Sequence, residues 1–202
     1  MSMDEPAFIA AAQKGDVAAF NQLVRAYQTL VYRTAYRVLG ESAAAEDATQ
    51  DAFVSAFKHL RSFRGGSFKA WLLRIVTNAC YDQLRVKQRR PTASLDAMLI
   101  DPDKPAPGAD RAAPESPQEF AERQELGDAI QRGLTTLPPD QRVTLVLVDI
   151  EGMRYEEVAE ATGANVGTVK SRLSRGRAAL RDFLVKQEEL LPSKYRLKVG
   201  QA

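Results

Sequence analysis

Apolar residues return every three to four positions along most of this chain. In "DVAAFNQLVRAYQTLVYRTAYRVLG", Phe20, Leu23, Val24, Tyr27, Leu30, Val31, Ala35 and Val38 share one helical face, and Gly40 is placed to stop the helix. A second helix is expected from Ser42, whose hydroxyl can cap it. Glu46 and Asp47 sit in its early turns, favourable against the helix dipole, and Ala52, Phe53, Ala56, Phe57 and Leu60 form its inward face. The glycines of "RSFRGGSF" break that helix. Ser67 can cap a third, which buries Phe68, Leu72, Ile75, Val76 and Ala79 and ends before Pro91. From about Pro117 to Leu184 the pattern predicts several short helices. Within it "VTLVLVDI" alternates and is β-branched, so alone it reads as a strand. Helix is the expectation, because "LPPDQR" supplies a proline-marked start and no partner strand lies nearby.

Proline placement divides the chain. After Pro6 none occurs until Pro91, and six of the 10 prolines then fall between Pro91 and Pro117. That stretch also carries Asp96, Asp101, Asp103, Asp110 and Glu115 against Lys104 and Arg111, and reads as an extended acidic linker. The expectation is an all-α protein of two small helical domains. Residues 1–90 form the first and 118–185 the second, joined by a flexible linker over 91–117, with an unassigned tail over 186–202.

The formal net charge is only +2, so any affinity for nucleic acid must come from uneven placement of charge. Cys80 is the sole cysteine and His59 the sole histidine, which excludes a disulfide framework and a Cys/His metal cluster. His59 lies between Lys58 and Leu60, and "FRGGS" lacks the Lys-Ser/Thr pair of a nucleotide-binding loop. No enzyme, cofactor or metal site is expected. "MSMDEPAFIAAAQKGD" carries acids where a secretory signal carries basic residues, and no segment approaches membrane-spanning length. A soluble cytoplasmic protein without membrane insertion is the expectation.

"MRYEEVAEATGANVGTVKSRLSRGRAALRDFL" reads as helix, glycine-containing turn, helix, the layout of a helix-turn-helix unit. On the second helix Val169, Leu173, Leu180, Phe183 and Leu184 gather on one face. The opposite face centres on Ser171, flanked by Lys170, Ser174, Arg175 and Ala178. Small polar residues with cations on the rim suit close approach to a major groove. Thr168, at the helix start, adds a hydroxyl and an N–H suited to phosphate. A solvated basic helix is the other reading of the same charge. On the third helix of the first domain, the side opposite the core carries Arg74, Thr77, Asn78, Tyr81 and Arg85. Cations, a ring and an amide are what a single-stranded site uses, and equally what a solvated strip contains. Trp71 reads as core. Lys87, Arg89 and Arg90 form a denser patch suited to backbone charge.

These residues, in this order, resemble the sigma factors of bacterial RNA polymerase, particularly the extracytoplasmic-function (ECF) group. "AEDATQDAFVSAFKHLRSFRGGSFKAWLLRIVTNACYDQLR" is similar to that family's region 2, and "LPPDQRVTLVLVDIEGMRYEEVAEATGANVGTVKSRLSRGRAAL" to its region 4. The resemblance implies a partner, core RNA polymerase, engaged at its clamp helices and flap, with Glu46, Asp47, Gln50, Asp51 and Phe53 matching the clamp-facing surface. It implies promoter DNA, duplex and single-stranded, as a second partner. Phe63 and Asn78 match positions that capture an unstacked base of the -10 element, with Arg74, Tyr81 and Arg85 as neighbours. Lys170, Ser171, Ser174 and Arg175 match the readers of the -35 element. Thr168, Arg172 and Arg177 join them as phosphate contacts, the two arginines alternatively being solvated. In the family the linker threads toward the active-site and RNA-exit region, and an anti-sigma partner is expected. The tail "KQEELLPSKYRLKVGQA" departs from the pattern. The competing function is a helix-turn-helix regulator acting without polymerase, commonly a dimer on a palindrome, for which no dimerisation helix is evident.

Overall fold

The computed structural model describes residues 4–89 and 116–186, apart from the side chains of residues 88, 89 and 117. The linker expectation falls almost wholly outside these residues, as do Arg90 and nearly all of the tail. The first bundle contains α1 (Glu5–Gln13), α2 (Val17–Leu39), α3 (Ser42–His59), a 3-10 turn (Leu60–Ser62) and α4 (Phe68–Arg89). The second contains α5 (Pro117–Thr136), α6 (Pro139–Leu145) continued by a π-helical turn (Val146–Ile150), α7 (Tyr155–Thr162) and α8 (Val166–Lys186). No strand occurs among the described residues, and "VTLVLVDI" is helical, its end widened so that Glu151 N–H bonds Val146 O at 3.0 Å.

Local chemistry sets most of the helix boundaries. Asp4 and Asp16 cap α1 and α2 by accepting from Ala7 N and Ala19 N, and Gly40 ends α2 in the left-handed conformation at φ 77°, as the sequence predicts. Ser67 caps α4, accepting from Ala70 N at 3.1 Å. The capping assignment of Ser42 is corrected: Glu41, extended at φ −135°, takes the N-cap position without a side-chain bond. Ser42 is already helical, and its hydroxyl donates to Glu46 Oε1 at 3.2 Å.

The inward face of α3 is also corrected. Ala45, Ala48, Ala52 and Ala56 are fully buried, whereas Phe53 is half-buried and Phe57 is 44% exposed. Methyl-sized side chains at this spacing let α3 lie close against α2 and α4, which leaves the rings on its flank.

The two bundles pack on each other rather than standing apart. Arg142, nearly buried, donates to Val38 O at the end of α2 (2.7 Å) and to Thr135 O and Leu137 O (2.7 and 3.0 Å). Gln131 Nε2 donates to Tyr36 O at 3.2 Å. The Glu151 carboxylate, its side chain 7% exposed, accepts from Thr34 Oγ1 at 3.2 Å and lies 3.8 Å from Lys69 Nζ, which also donates to Glu151 O at 2.7 Å.

Candidate nucleic-acid interface

Capping bonds at the helix starts assemble the helix-turn-helix. Glu157 accepts from Arg154 N at 2.9 Å at the start of α7, and that bond holds its carboxyl below the usual carboxylate range. Gly163 ends α7 at φ 65°, and Asn165 Oδ1 then accepts from Thr168 N at 2.8 Å to start α8. The N–H of Thr168, expected to be open for phosphate, is therefore already occupied by Asn165.

Val169, Leu173 and Gly176 bury one side of α8, and Lys170, Ser171, Ser174, Arg175 and Ala178 lie exposed on the other, as the periodicity predicts. Ser171 Oγ donates to Thr168 O at 2.9 Å, and Arg175 folds along its own helix, donating from Nε to Ser171 O at 3.2 Å. Lys170 Nζ sits 5.9 Å from the centroid of the Tyr155 ring. Two cations assigned to this surface are engaged elsewhere. Arg172, its side chain 21% exposed, pairs with Asp140, and Arg177 pairs bidentately with Asp149 at 2.9 and 2.5 Å, which raises its pKa. A groove of about 550 Å³ runs beside α8, lined by Tyr155, Lys170, Ser174, Arg177 and Arg181 among others.

On α4, Arg74, Asn78 and Arg85 are exposed at helical spacing, with Arg85 Nη1 donating to Asp82 at 3.0 Å. Thr77 does not belong to this strip: it is 1% exposed and donates back to Leu73 O at 2.7 Å. Tyr81 is half-buried. Its hydroxyl donates to Asp140 Oδ1 at 3.2 Å, across the junction of the two bundles, and burial foremost raises its pKa. Lys87 pairs with Glu41 at 3.4 Å. At the mouth of α4, Phe63 stands edge-on to Phe68 (5.6 Å, 85°) and tilted against Trp71 (5.4 Å), so Trp71 takes part in the aromatic cluster that its core assignment anticipates.

Glu46, Asp47, Gln50 and Asp51 form an exposed, largely acidic ridge on α3. Beside it Phe53 lines an apolar groove of about 290 Å³ with Val17, Phe20, Val54, Phe57 and Lys58. Sequence reasoning missed Val17, Val54 and Phe57 as surface residues. The available signal was the row of alanines, which already fills the inward face of α3.

A four-helix platform with a polar strip, joined in one chain to a helix-turn-helix with a cationic outer face, defines a sigma-type protein. Residues 23–90 match Sigma-70 region 2 and residues 127–180 match Sigma-70, region 4. The ECF RNA polymerase sigma factor SigE of Mycolicibacterium smegmatis is 38% identical over 187 residues, covering 91% of this chain and 70% of that protein. The ECF RNA polymerase sigma-E factor of Escherichia coli K12 is 37% identical over 169 residues, 83% of this chain and 87% of that protein. Among solved structures, the sigma factor RpoE in complex with the anti-sigma factor NepR from Bartonella quintana superposes with a TM-score of 0.61 at 29% identity, over 83% of this chain and 98% of that one. The chain belongs to the ECF group of RNA polymerase sigma factors, which are non-catalytic transcription initiation factors. Among the described residues no helix is long and apolar enough to cross a membrane.

Proposed function

We propose that this chain joins core RNA polymerase in the cytoplasm and selects promoters by binding alone, with the second bundle on the -35 element and the first on the -10 element. The observation that carries the residue assignment is the outer face of α8, where Lys170, Ser171, Ser174 and Arg175 are exposed together and small side chains flank the cations. Phe63, Arg74, Asn78 and Arg85 are the -10 surface, where capture of an unstacked base offsets a few kcal/mol of unstacking. The α3 ridge of Glu46, Asp47, Gln50 and Asp51 and the adjacent Phe53 groove face the polymerase clamp helices, and the second bundle meets the flap. An anti-sigma partner holds the idle chain. That assignment is supported by the NepR complex of the similar RpoE.

Use of both surfaces at once requires the bundles to separate. Tyr81 and Arg172 share the single carboxylate of Asp140, whereas elements some two dozen base pairs apart lie roughly 80 Å distant along B-DNA. Residues 90–115 span at most about 90 Å when extended, enough to reach. Each contact is weak alone and becomes strong once the polymerase fixes both bundles at one spacing.

Run-off transcription with purified core polymerase, with and without the protein, tests the reading. Arg175→Ala is expected to weaken upstream recognition by about 1–3 kcal/mol, seen by footprinting, and Asn78→Ala to spare duplex binding while slowing permanganate reactivity of the melted strand. Tight binding of a palindromic duplex without polymerase would instead favour the free regulator.

A further inference from the structure

The N-terminal helix is hydrogen-bonded to the proposed base-capture loop by one of its side chains. Gln13, in the last turn of α1, donates from Nε2 to Leu60 O at 3.1 Å and to Phe63 O at 2.9 Å, partners 47 and 50 positions away. A primary amide nitrogen carries two hydrogens, so both donors are used, and the two carbonyls they meet bracket the 3-10 turn. Leu60 O also accepts from Phe63 N at 3.1 Å.

Past Phe63 the backbone has little to hold it. Arg64, Gly65, Gly66 and Ser67 are exposed, the glycines stand at φ 98° and 86°, and nothing lies within 4 Å of where their Cβ atoms would be. Order returns only where Ser67 caps α4. The loop is thus pinned at its far end by its own helix and at its near end by a residue of another helix. That other helix is itself fastened: the Tyr27 hydroxyl donates to the Glu5 carboxylate, Ala12 is buried, and Phe8 and Ile9 pack half-buried against the core.

We propose that Gln13 is a positioning residue for strand separation, fixing the backbone from which Phe63 meets an unstacked base. This rests on the reading of the Phe63 loop as the base-capturing element. Gln13 itself does not touch DNA. Its two acceptors are only partly buried, so water can replace the amide as their donor and the fold survives without it. Water cannot replace the tether: with Gln13 gone, the turn keeps Phe63 N–H on Leu60 O, Ser62 Oγ on His59 O at 2.6 Å and the Phe63 ring against Phe68 and Trp71, but the Phe63 carbonyl loses its link to α1, ahead of two exposed glycines.

The test is a time course of promoter opening by reconstituted polymerase, followed by permanganate reactivity, with full-length wild type, Gln13→Glu, Gln13→Met, Phe63→Ala and both double variants. Glutamate keeps the shape and removes both donors, and methionine does so without charge. Opening is expected to slow about tenfold in each Gln13 variant, with melting temperature and -35 duplex affinity unchanged, and with no further slowing when Phe63 is already alanine. Wild-type opening in both Gln13 variants alongside a slow Phe63→Ala would overturn the role of Gln13, as would equal slowing in the Phe63→Ala background. A Phe63→Ala protein that opens promoters at the wild-type rate removes the capture reading itself, and the positioning role falls with it.

Discussion

Cys80 sits at 0% exposure in the core of α4, and burial pushes its thiol pKa up to about 12 from an ordinary 9.0. Thiol chemistry runs through the thiolate, so at neutral pH the residue behaves as a small apolar side chain. The sign of its linkage follows: the unfolded thiol ionises from pH 9.0 upward while the folded one stays neutral, so stability falls as pH rises from 9.0 toward about 12. An aromatic disulfide reagent at pH 8 should leave the native protein unlabelled and titrate one thiol per chain in guanidinium; rapid native labelling would show that the α4 core opens. At this scale the sequence exposes what depends on helical period. The outer face of α8 is legible because Ser171, Ser174 and Arg175 are fixed by their spacing from Val169 and Leu173. Arg172, Arg177 and Tyr81 are not, because the carboxylates that engage them, Asp140 and Asp149, are 32, 28 and 59 positions away. Thr77 is misread for a related reason: its hydroxyl satisfies itself on Leu73 O, so the residue can be buried within a polar strip.

Elements were legible where their ends carry chemistry. Gly40, Ser67 and Gly163 mark boundaries by conformation or cap, and "LPPDQR" correctly outweighs the strand-like alternation that follows it. The short apolar run of α1 shows little helical periodicity, and α5 reads as several short helices although Ser116 and Glu119 form a capping box at the start of its 20 residues. The same box chemistry gives α7 a pH dependence. Glu157 is held below its usual 4.5 chiefly by the Arg154 N–H bond, so its contribution is complete above pH 4.5 and is lost as pH falls through the depressed folded value. The bond closes only the first turn of α7, so the effect is local fraying at the turn rather than global unfolding. Carbon-detected NMR titration should place the Glu157 midpoint below 4.5, with amide exchange at Arg154 accelerating over the same window. A midpoint at or above 4.5 would remove the cap from the account of how α7 is held.

For the whole molecule, the sequence defines two helical units but not their mutual packing, since the bonds between them have no periodic trace. Those bonds are mostly polar: Arg142 to Val38 O, Gln131 to Tyr36 O, Lys69 to Glu151, Tyr81 to Asp140. Water can replace such bonds, but one hydrophobic cluster runs through both bundles, so opening the closed arrangement also exposes apolar surface and must be driven by the binding of polymerase and promoter. Opening is what simultaneous use of both proposed DNA surfaces demands, and fluorescence transfer measures it. Because Cys80 is inaccessible, dyes can be placed on cysteines introduced at the exposed Gln28 and Glu160 with Cys80 left in place. Transfer should be high in the free chain and fall when core polymerase and promoter are added. Glu151→Lys, which sets a cation against Lys69 and removes the acceptor that Thr34 Oγ1 meets across the junction, should lower transfer in the free chain before any partner is present. Undiminished transfer in complexes that are actively initiating would mean that the closed form itself engages the promoter, and the separate use of α4 and α8 would have to be abandoned.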